Sequence, residues 1–325
     1  GVEEIIVTGQ KRAERMQDVP IAISAFTMED LDKQKIEGGF DLLKAIPNVT
    51  FSKTNFTGYN FQIRGIGTQA VSATTDPGVA VSMNNTTLIV NRLFEQEYLD
   101  IERVEVLRGP QGTLYGRNAT AGGINIITKK SAETWGGEIT TDYLAQEESR
   151  FGDARGSSLF LNGPIIGEKV GLQITGRHQY REEDQVPRGQ PQRTNRNLTG
   201  RIWINPSANQ DIMLETSQEY FNMYAMVAGR SPGTLWEQTT RRETWSVAHA
   251  GRWAFGKTDI AFQKEDARKS NIEADNWIYR DRRQAKLGFQ GHCSRCMALS
   301  VTSSLRMTAV SATLPGRRLS FTRRS

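Results

Sequence analysis

Cysteine is scarce in this chain: 325 residues contain two, Cys293 and Cys296, both near the C-terminal end. The body therefore has no disulfide and no thiol chemistry to offer. Histidine is nearly as rare: His178, His249 and His292 are widely spaced, with no HExxH pair and no GxSxG elbow. Carboxylates are plentiful but mark no catalytic pair, so no catalytic centre is nominated. No apolar run of 18 or more residues occurs, which excludes a transmembrane helix. It does not exclude a membrane barrel, whose strands show lipid only every second residue. A basic n-region with an apolar h-region is also missing, and the chain opens on Gly1, so it reads as a mature form or a fragment.

The net charge of +5 and a pI near 9.2 suggest nucleic acid at first. The distribution argues against it. Residues 291–325 hold six arginines and no Lys, Asp or Glu, leaving 35 bases against 36 acids in the remainder. A neutral body offers no basic binding face, and no nucleic-acid partner is expected.

Three zones follow along the chain. The first, to about residue 130, is compact and mixed. Strands are predicted at Ile5–Thr8, Val19–Ser24, Phe61–Arg64, Val79–Met83, Val104–Arg108 and Gly123–Thr128. Thr27 reads as an N-cap with Asp30 three residues on, opening a helix from Met28 to Lys35; a second short helix is expected over Gly39–Ala45. From about Thr134 the pattern changes to period-2 alternation, as in Val170-Gly-Leu-Gln-Ile-Thr175. Turn signals are read at Asn162-Gly-Pro164, Asn205-Pro206 and Gly256-Lys257, and all six tryptophans lie in this zone. Tryptophan in alternating strands fits the aromatic girdles of a membrane barrel; on pattern alone a soluble β-sandwich fits equally. The third zone, 290–325, is rich in Ser, Thr and Arg and is expected to break the strand rhythm.

Two local motifs have bland readings. Gly251-Arg-Trp-Ala-Phe-Gly256-Lys-Thr258 has P-loop spacing, but both flanks alternate like strands, so a hairpin turn explains it better. His292-Cys293-Ser-Arg-Cys296 offers three soft ligands where a structural zinc site needs four. No metal and no cofactor are implied.

Glu4-Ile5-Ile6-Val7-Thr8 resembles a TonB box, Phe61-Gln-Ile-Arg64-Gly65 a plug strand, and Ile101 through Lys129 runs close to a family signature without a gap. On these residues the chain resembles the TonB-dependent outer-membrane receptors, of the catecholate-siderophore type. The resemblance implies a small α+β plug domain followed by a partial antiparallel transmembrane β-barrel. Residues 1–10 would be the TonB box region, 11–130 the plug, 131–289 barrel strands, and 290–325 an aberrant tail of frameshifted or misassembled sequence. It implies a bacterial outer-membrane location, no enzymatic activity, and three partners: TonB with its inner-membrane energy complex, a ferric siderophore, and outer-membrane lipid.

Glu4, Ile5, Ile6, Val7 and Thr8 would pair with TonB by strand addition. Lys53, Phe56, Tyr59, Arg92, Phe94 and Tyr98 would meet the anionic ligand at the plug apex. Arg64, Glu102, Glu105 and Arg108 would lock plug to barrel wall, or pair within the plug. The family's barrel has about 22 strands, whereas the 195 residues after Lys130 suffice for on the order of ten, so the piece is expected not to transport. A receptor for cobalamin or a glycan, and a soluble β-rich binding protein, are the alternatives.

Overall fold

The computed structural model of the chain describes residues 6–7, 14–19, 22–33, 49–53, 59–67, 78–84, 86–87, 100–110, 119–130, 132–228, 235–254, 256–273, 279–293, 301–314 and 317–319. The chain divides into two compact units, one built on Gly1–Lys130 and the other on Ser131–His249, with later segments shared between them.

In the first unit β1 (Ile6–Val7) pairs antiparallel with β2 (Glu14–Arg15). A mixed five-stranded sheet joins β3 (Ala22–Thr27), β7 (Val79–Met83), β8 (Thr86–Thr87), β9 (Ile101–Arg108) and β10 (Gly122–Thr128) in the order β3-β9-β10-β7-β8. A smaller sheet holds β4 (Val49–Lys53), β5 (Tyr59–Ile63) and β6 (Ile66–Gly67). Among the described residues helix is confined to α1 (Met28–Lys33) and a 3-10 turn at Met16–Asp18. The expected second helix, Gly39–Ala45, lies outside the described residues.

α1 starts where the capping pattern places it. Asp30 Oδ2 accepts from the Thr27 N–H at 3.0 Å and from its hydroxyl at 2.8 Å, while the Asp30 N–H donates to Thr27 Oγ1 at 3.3 Å. Each side chain thus satisfies an amide that the first helical turn leaves free.

The core of the five-stranded sheet is β9 and β10. Val104, Val106, Leu107, Ile124 and Ile126 are fully buried, as expected for central strands read as near-continuous apolar runs. Burying each such side chain stabilises by roughly 1.5–3 kcal/mol. Gly122 enters β10 at φ +146, and a Cβ there would collide with the Leu107 carbonyl oxygen, so the close approach of β9 to β10 requires glycine.

The second sheet is antiparallel wherever its register is described and runs in simple sequence order, β11 to β20. Its strands are β11 (Gly136–Leu144), β12 (Ala154–Ile166), β13 (Val170–Arg181), β14 (Gln192–Ser207), β15 (Gln210–Ala225), β16 (Trp236–Trp253), β17 (Gly256–Glu273), β18 (Tyr279–Cys293), β19 (Val301–Leu314) and β20 (Arg317–Leu319). Three sequence expectations change here. Asn162–Pro164 is not a turn but lies inside β12, where a register irregularity at Pro164 accommodates the missing N–H; the turn is Gly167–Lys169. Asn205-Pro206 likewise belongs to β14, and the reversal comes at Ala208–Asn209. The strand rhythm also runs past residue 290, through β19 and β20. Val301, Thr302, Thr308, Val310 and Thr313 supply strand propensity that the tail's Ser/Arg composition obscures.

The P-loop spacing falls on strand, turn and strand: β16 ends at Trp253, Ala254 turns, and β17 begins at Gly256. No helix follows Thr258 to present amides to a phosphate, and the Thr258 hydroxyl instead accepts from Trp253 Nε1 at 2.8 Å.

Candidate functional site

The second sheet buries its polar face and exposes its apolar one. On β13, Gln173 and Thr175 are buried between half-buried Leu172 and Ile174. On β16, Arg242, Thr244 and Ser246 are buried while Trp245 and Val247 are exposed. On β17, Gln263 and Glu265 are buried and Phe262 is exposed, with its ring centroid 5.3 Å from that of Trp245.

Register turns the buried polar residues into rows. Asn162, Gln173, Arg201 and Glu215 stand side by side on four successive strands. Arg201 donates to Gln173 Oε1 at 3.0 Å and pairs with Glu215 through Nε. Arg242 and Glu219 form a similar pair at 2.9 Å, and the Ser217 and Thr244 hydroxyls share a 2.7 Å hydrogen bond. Buried charges are tolerated only when so paired. Period-2 alternation is visible in the sequence, but not which face is shielded.

The two ends of this sheet differ. One end carries tight reversals at Gly167–Lys169, Ala208–Asn209 and Ala254. The other carries loops 145–153 and 182–191, and Met226–Ala228 following β15. Three carboxylates organise the long loops. Glu183 Oε1 accepts the N–H groups of Met226, Val227 and Ala228 at 2.6, 2.7 and 2.8 Å. Asp184 accepts from the Gly152 and Gln190 amides at 2.9 and 2.6 Å and from Arg181 at 2.5 Å. Burial alone would raise the Asp184 pKa, but those two amides and the Arg181 guanidinium outweigh it and hold the carboxyl below its usual range. Asp153 accepts from the Tyr143 hydroxyl at 2.5 Å and the Gln146 amide at 2.9 Å, which lower its pKa in that order of importance. Motif reading misses all three, since their partners are set by loop packing rather than spacing.

In the first unit, Ile6 and Val7 are the described residues of the segment whose sequence resembles a TonB box; Val7 is buried and Ile6 exposed, while Glu4, Ile5 and Thr8 lie outside the described residues. Lys53 and Tyr59 are register partners at the loop end of the β4–β5 hairpin. Phe56, Arg92, Phe94 and Tyr98 lie outside the described residues.

Arg64 and Gly65 form a two-residue turn with φ of 54 and 78, the primed geometry that Asn-Gly normally supplies. An arginine there is held at a steric cost. Arg108 donates to Ser24 Oγ at 2.8 Å, and burial first, then the neighbouring Arg64 cation, push its pKa down. Glu102 and Glu105 engage inside the unit: both pair with Arg103, Glu105 at 2.8 Å and fully buried, where Asn125 also donates to it at 3.4 Å. Among the described residues no group of three or more His, Cys, Asp or Glu is placed to hold a metal, and no helix is long and apolar enough to cross a membrane.

Residues 15–123 match the family described as the TonB-dependent receptor plug domain. The chain is 30% identical over 300 residues to the iron-regulated outer membrane virulence protein of Vibrio cholerae, a match covering 88% of this chain and 46% of that protein. It is 26% identical over 289 residues to the ferric enterobactin receptor PirA of Pseudomonas aeruginosa, covering 77% of this chain and 39% of the relative. Among solved structures, the ferric enterobactin receptor PfeA of Pseudomonas aeruginosa superposes with a TM-score of 0.69 at 18% identity, over 95% of this chain and 51% of that one. The ferric yersiniabactin receptor FyuA of Yersinia pestis gives 0.66 at 17%, over 92% and 50%. The chain spans about half the length of the relatives it matches.

Proposed function

We propose that this chain, which belongs to the TonB-dependent receptors of the bacterial outer membrane, is the α+β plug and first barrel strands of a receptor that takes up a ferric siderophore at the expense of inner-membrane energy. The observation that carries the reading is the inverted second sheet. A soluble sandwich would bury Trp245, Val247 and Phe262 and solvate Arg201, Arg242 and Gln173; this sheet does the reverse. That arrangement suits a wall with lipid on one side and a polar lumen on the other. Short turns on one end and long loops on the other suit periplasmic and extracellular sides respectively.

In this reading Glu4–Thr8 pairs with TonB as an added strand. Lys53, Phe56, Tyr59, Arg92, Phe94 and Tyr98 contribute cationic and aromatic groups to an anionic, flat ferric chelate. Arg64 and Arg108, two adjacent cations with no ion pair among the described residues, are the plug's share of a charged lock; Glu102 and Glu105 serve the plug itself. Uptake requires a closed wall, so ten strands do not transport alone. The alternative ligands, cobalamin or a glycan, are outcomes of the test.

The test is uptake of radiolabelled ferric enterobactin by cells lacking their own catecholate receptors and expressing the receptor that carries this sequence. Uptake should need TonB and fall at least tenfold with Ile6→Pro, which removes the amide a paired strand must donate. Uptake of labelled cobalamin or maltodextrin with none of the iron chelate would reassign the ligand. Transport unaffected by loss of TonB would sink the reading.

A further inference from the structure

The polar long-loop end of the second sheet is not uniformly solvated on its exposed face. Ser157, His178, Arg196 and Tyr220 are register partners on β12 to β15, so their side chains share that face. The next row toward the loops begins Arg155, Tyr180. Three arginines lie over two rings: Arg155 stands 4.9 Å from the Tyr180 centroid, and Arg196 and Arg241 flank the Tyr220 ring at 5.9 and 5.6 Å. All three are exposed, and none forms an ion pair among the described residues.

One step toward the short-turn end, about 7 Å along the strands, the row is Leu159, Gly176, Leu198 and Gln218; the next is Leu161, Ile174, Gly200 and Thr216, and after it come Leu172, Ile202 and Leu214. A cationic–aromatic ledge therefore sits directly on the margin of the apolar band. Carboxylates also lie on this face: Glu243 of β16 is exposed beside it, Glu237 accepts from Asn222 at 2.7 Å, and half-buried Asp266 follows on β17.

We propose that Arg155, Tyr180, His178, Arg196, Tyr220 and Arg241 form a docking site for the phosphorylated headgroup of an anionic lipid in the outer leaflet. The inference rests on reading the exposed apolar face as the lipid-facing wall. Charge complementarity and position argue for that occupant. A lipid packed on Leu159, Leu198 and Trp245 places its headgroup at the height of the arginines, where the tyrosines suit the interface. Guanidinium groups bind phosphate in paired hydrogen bonds, and stacking on Tyr180 and Tyr220 holds them in place beforehand, lowering the entropy lost on binding. A soluble anion would gain nothing from the apolar band.

The experiment uses the receptor containing the full chain, purified in nonionic detergent, with retention of a bis-phosphorylated glucosamine lipid counted by native mass spectrometry. Wild type should retain it at least tenfold better than the same lipid with both phosphates removed. The triple variant Arg155→Ala/Arg196→Ala/Arg241→Ala should lose that preference, and Arg196→Lys should lose part of it, because an ammonium neither forks onto phosphate nor stacks on Tyr220. The dephosphorylated-lipid arm needs no substitution, so it decides even if the triple variant misfolds. Equal retention of both lipids by wild type would overturn the site. Displacement of the lipid by equimolar inorganic phosphate would overturn its assignment to a lipid. Membrane fractionation of the same cells separates the two levels: receptor in the outer membrane with no phosphate preference sinks the headgroup site alone, and receptor absent from that membrane sinks the underlying reading.

Discussion

The two sheets solve opposite problems with the same alphabet. In the five-stranded sheet Val104, Val106, Ile124 and Ile126 are buried, and the fully buried charge Glu105 is held by Arg103 and Asn125. In the ten-stranded sheet Arg201, Arg242, Gln173 and Gln238 are buried, while Leu198, Trp245, Val247 and Phe262 face outward. Local strand physics is common to both: alternating side chains on a pleated ladder. The difference is the solvent each face was selected against, and that is a statement about environment rather than secondary structure. It yields experiments in which one substitution type has different consequences in the two regions.

The largest effect is expected in the plug sheet. Ile124→Lys places an unpaired cation among Val104, Val106 and Ile126 and should cost more than about 4 kcal/mol, enough to unfold that unit. Limited proteolysis across residues 100–130 would read this directly. Persistent protection would mean that this core tolerates charge, and the comparison would collapse.

Next comes the buried polar face of the ten-stranded sheet. Arg201→Met keeps the volume but strands the Glu215 carboxylate, and should cost about 3 kcal/mol. The double variant Arg201→Met/Glu215→Leu should recover most of that loss, because no charge is left without a partner. Urea titrations of the receptor in lipid vesicles check both. A double variant no better than the single one would show that the row acts through packing rather than charge pairing.

On the proposed reading the exposed face meets lipid, and that can be tested. Leu198→Arg should destabilise the vesicle-inserted receptor by about 2–4 kcal/mol if residue 198 lies near the midplane, and less nearer the headgroups. The same change on a water-exposed strand falls within about 0.5 kcal/mol. An effect of that smaller size in vesicles would place Leu198 in water and remove the basis for a lipid-facing wall.

How much of this is legible in the sequence follows from the range of the interactions. Period-2 alternation is local, so most strands can be read close to their places, and Val79–Met83 has the boundaries that its residues predict. The Thr27–Asp30 cap and the β16–β17 hairpin are also contacts within a few residues, although the hairpin turns at Ala254, two residues before the expected Gly256-Lys257. Asn162–Pro164 misleads because proline and asparagine mark turns only when no bulge absorbs them. Glu183 is invisible: its partners are 43 to 45 residues away, and nothing in a glutamate's neighbours announces three waiting amides. Nor does alternation reveal that Arg155, Arg196 and Arg241 share two rings, because that depends on register across five strands.

The smallest effect isolates local physics from both environments. Asp30 caps α1 at the edge of the first unit, and the Thr27 hydroxyl, then the Thr27 amide, hold its carboxyl below the ordinary value of 3.8. A carboxyl whose folded pKa lies below its unfolded one stabilises the fold fully above pH 3.8, and loses that contribution as pH falls through the lower folded value. Asp30→Ala should therefore cost about 1 kcal/mol at pH 6. Wild type and Asp30→Ala should converge in urea midpoint as the pH drops below 3.8. Substitution at this cap should leave urea resistance of the ten-stranded sheet unchanged, because no lipid or lumen enters the interaction. A gap that stays constant down to about pH 2 would mean the carboxylate charge is not what caps α1, and that Thr27 alone holds the helix start.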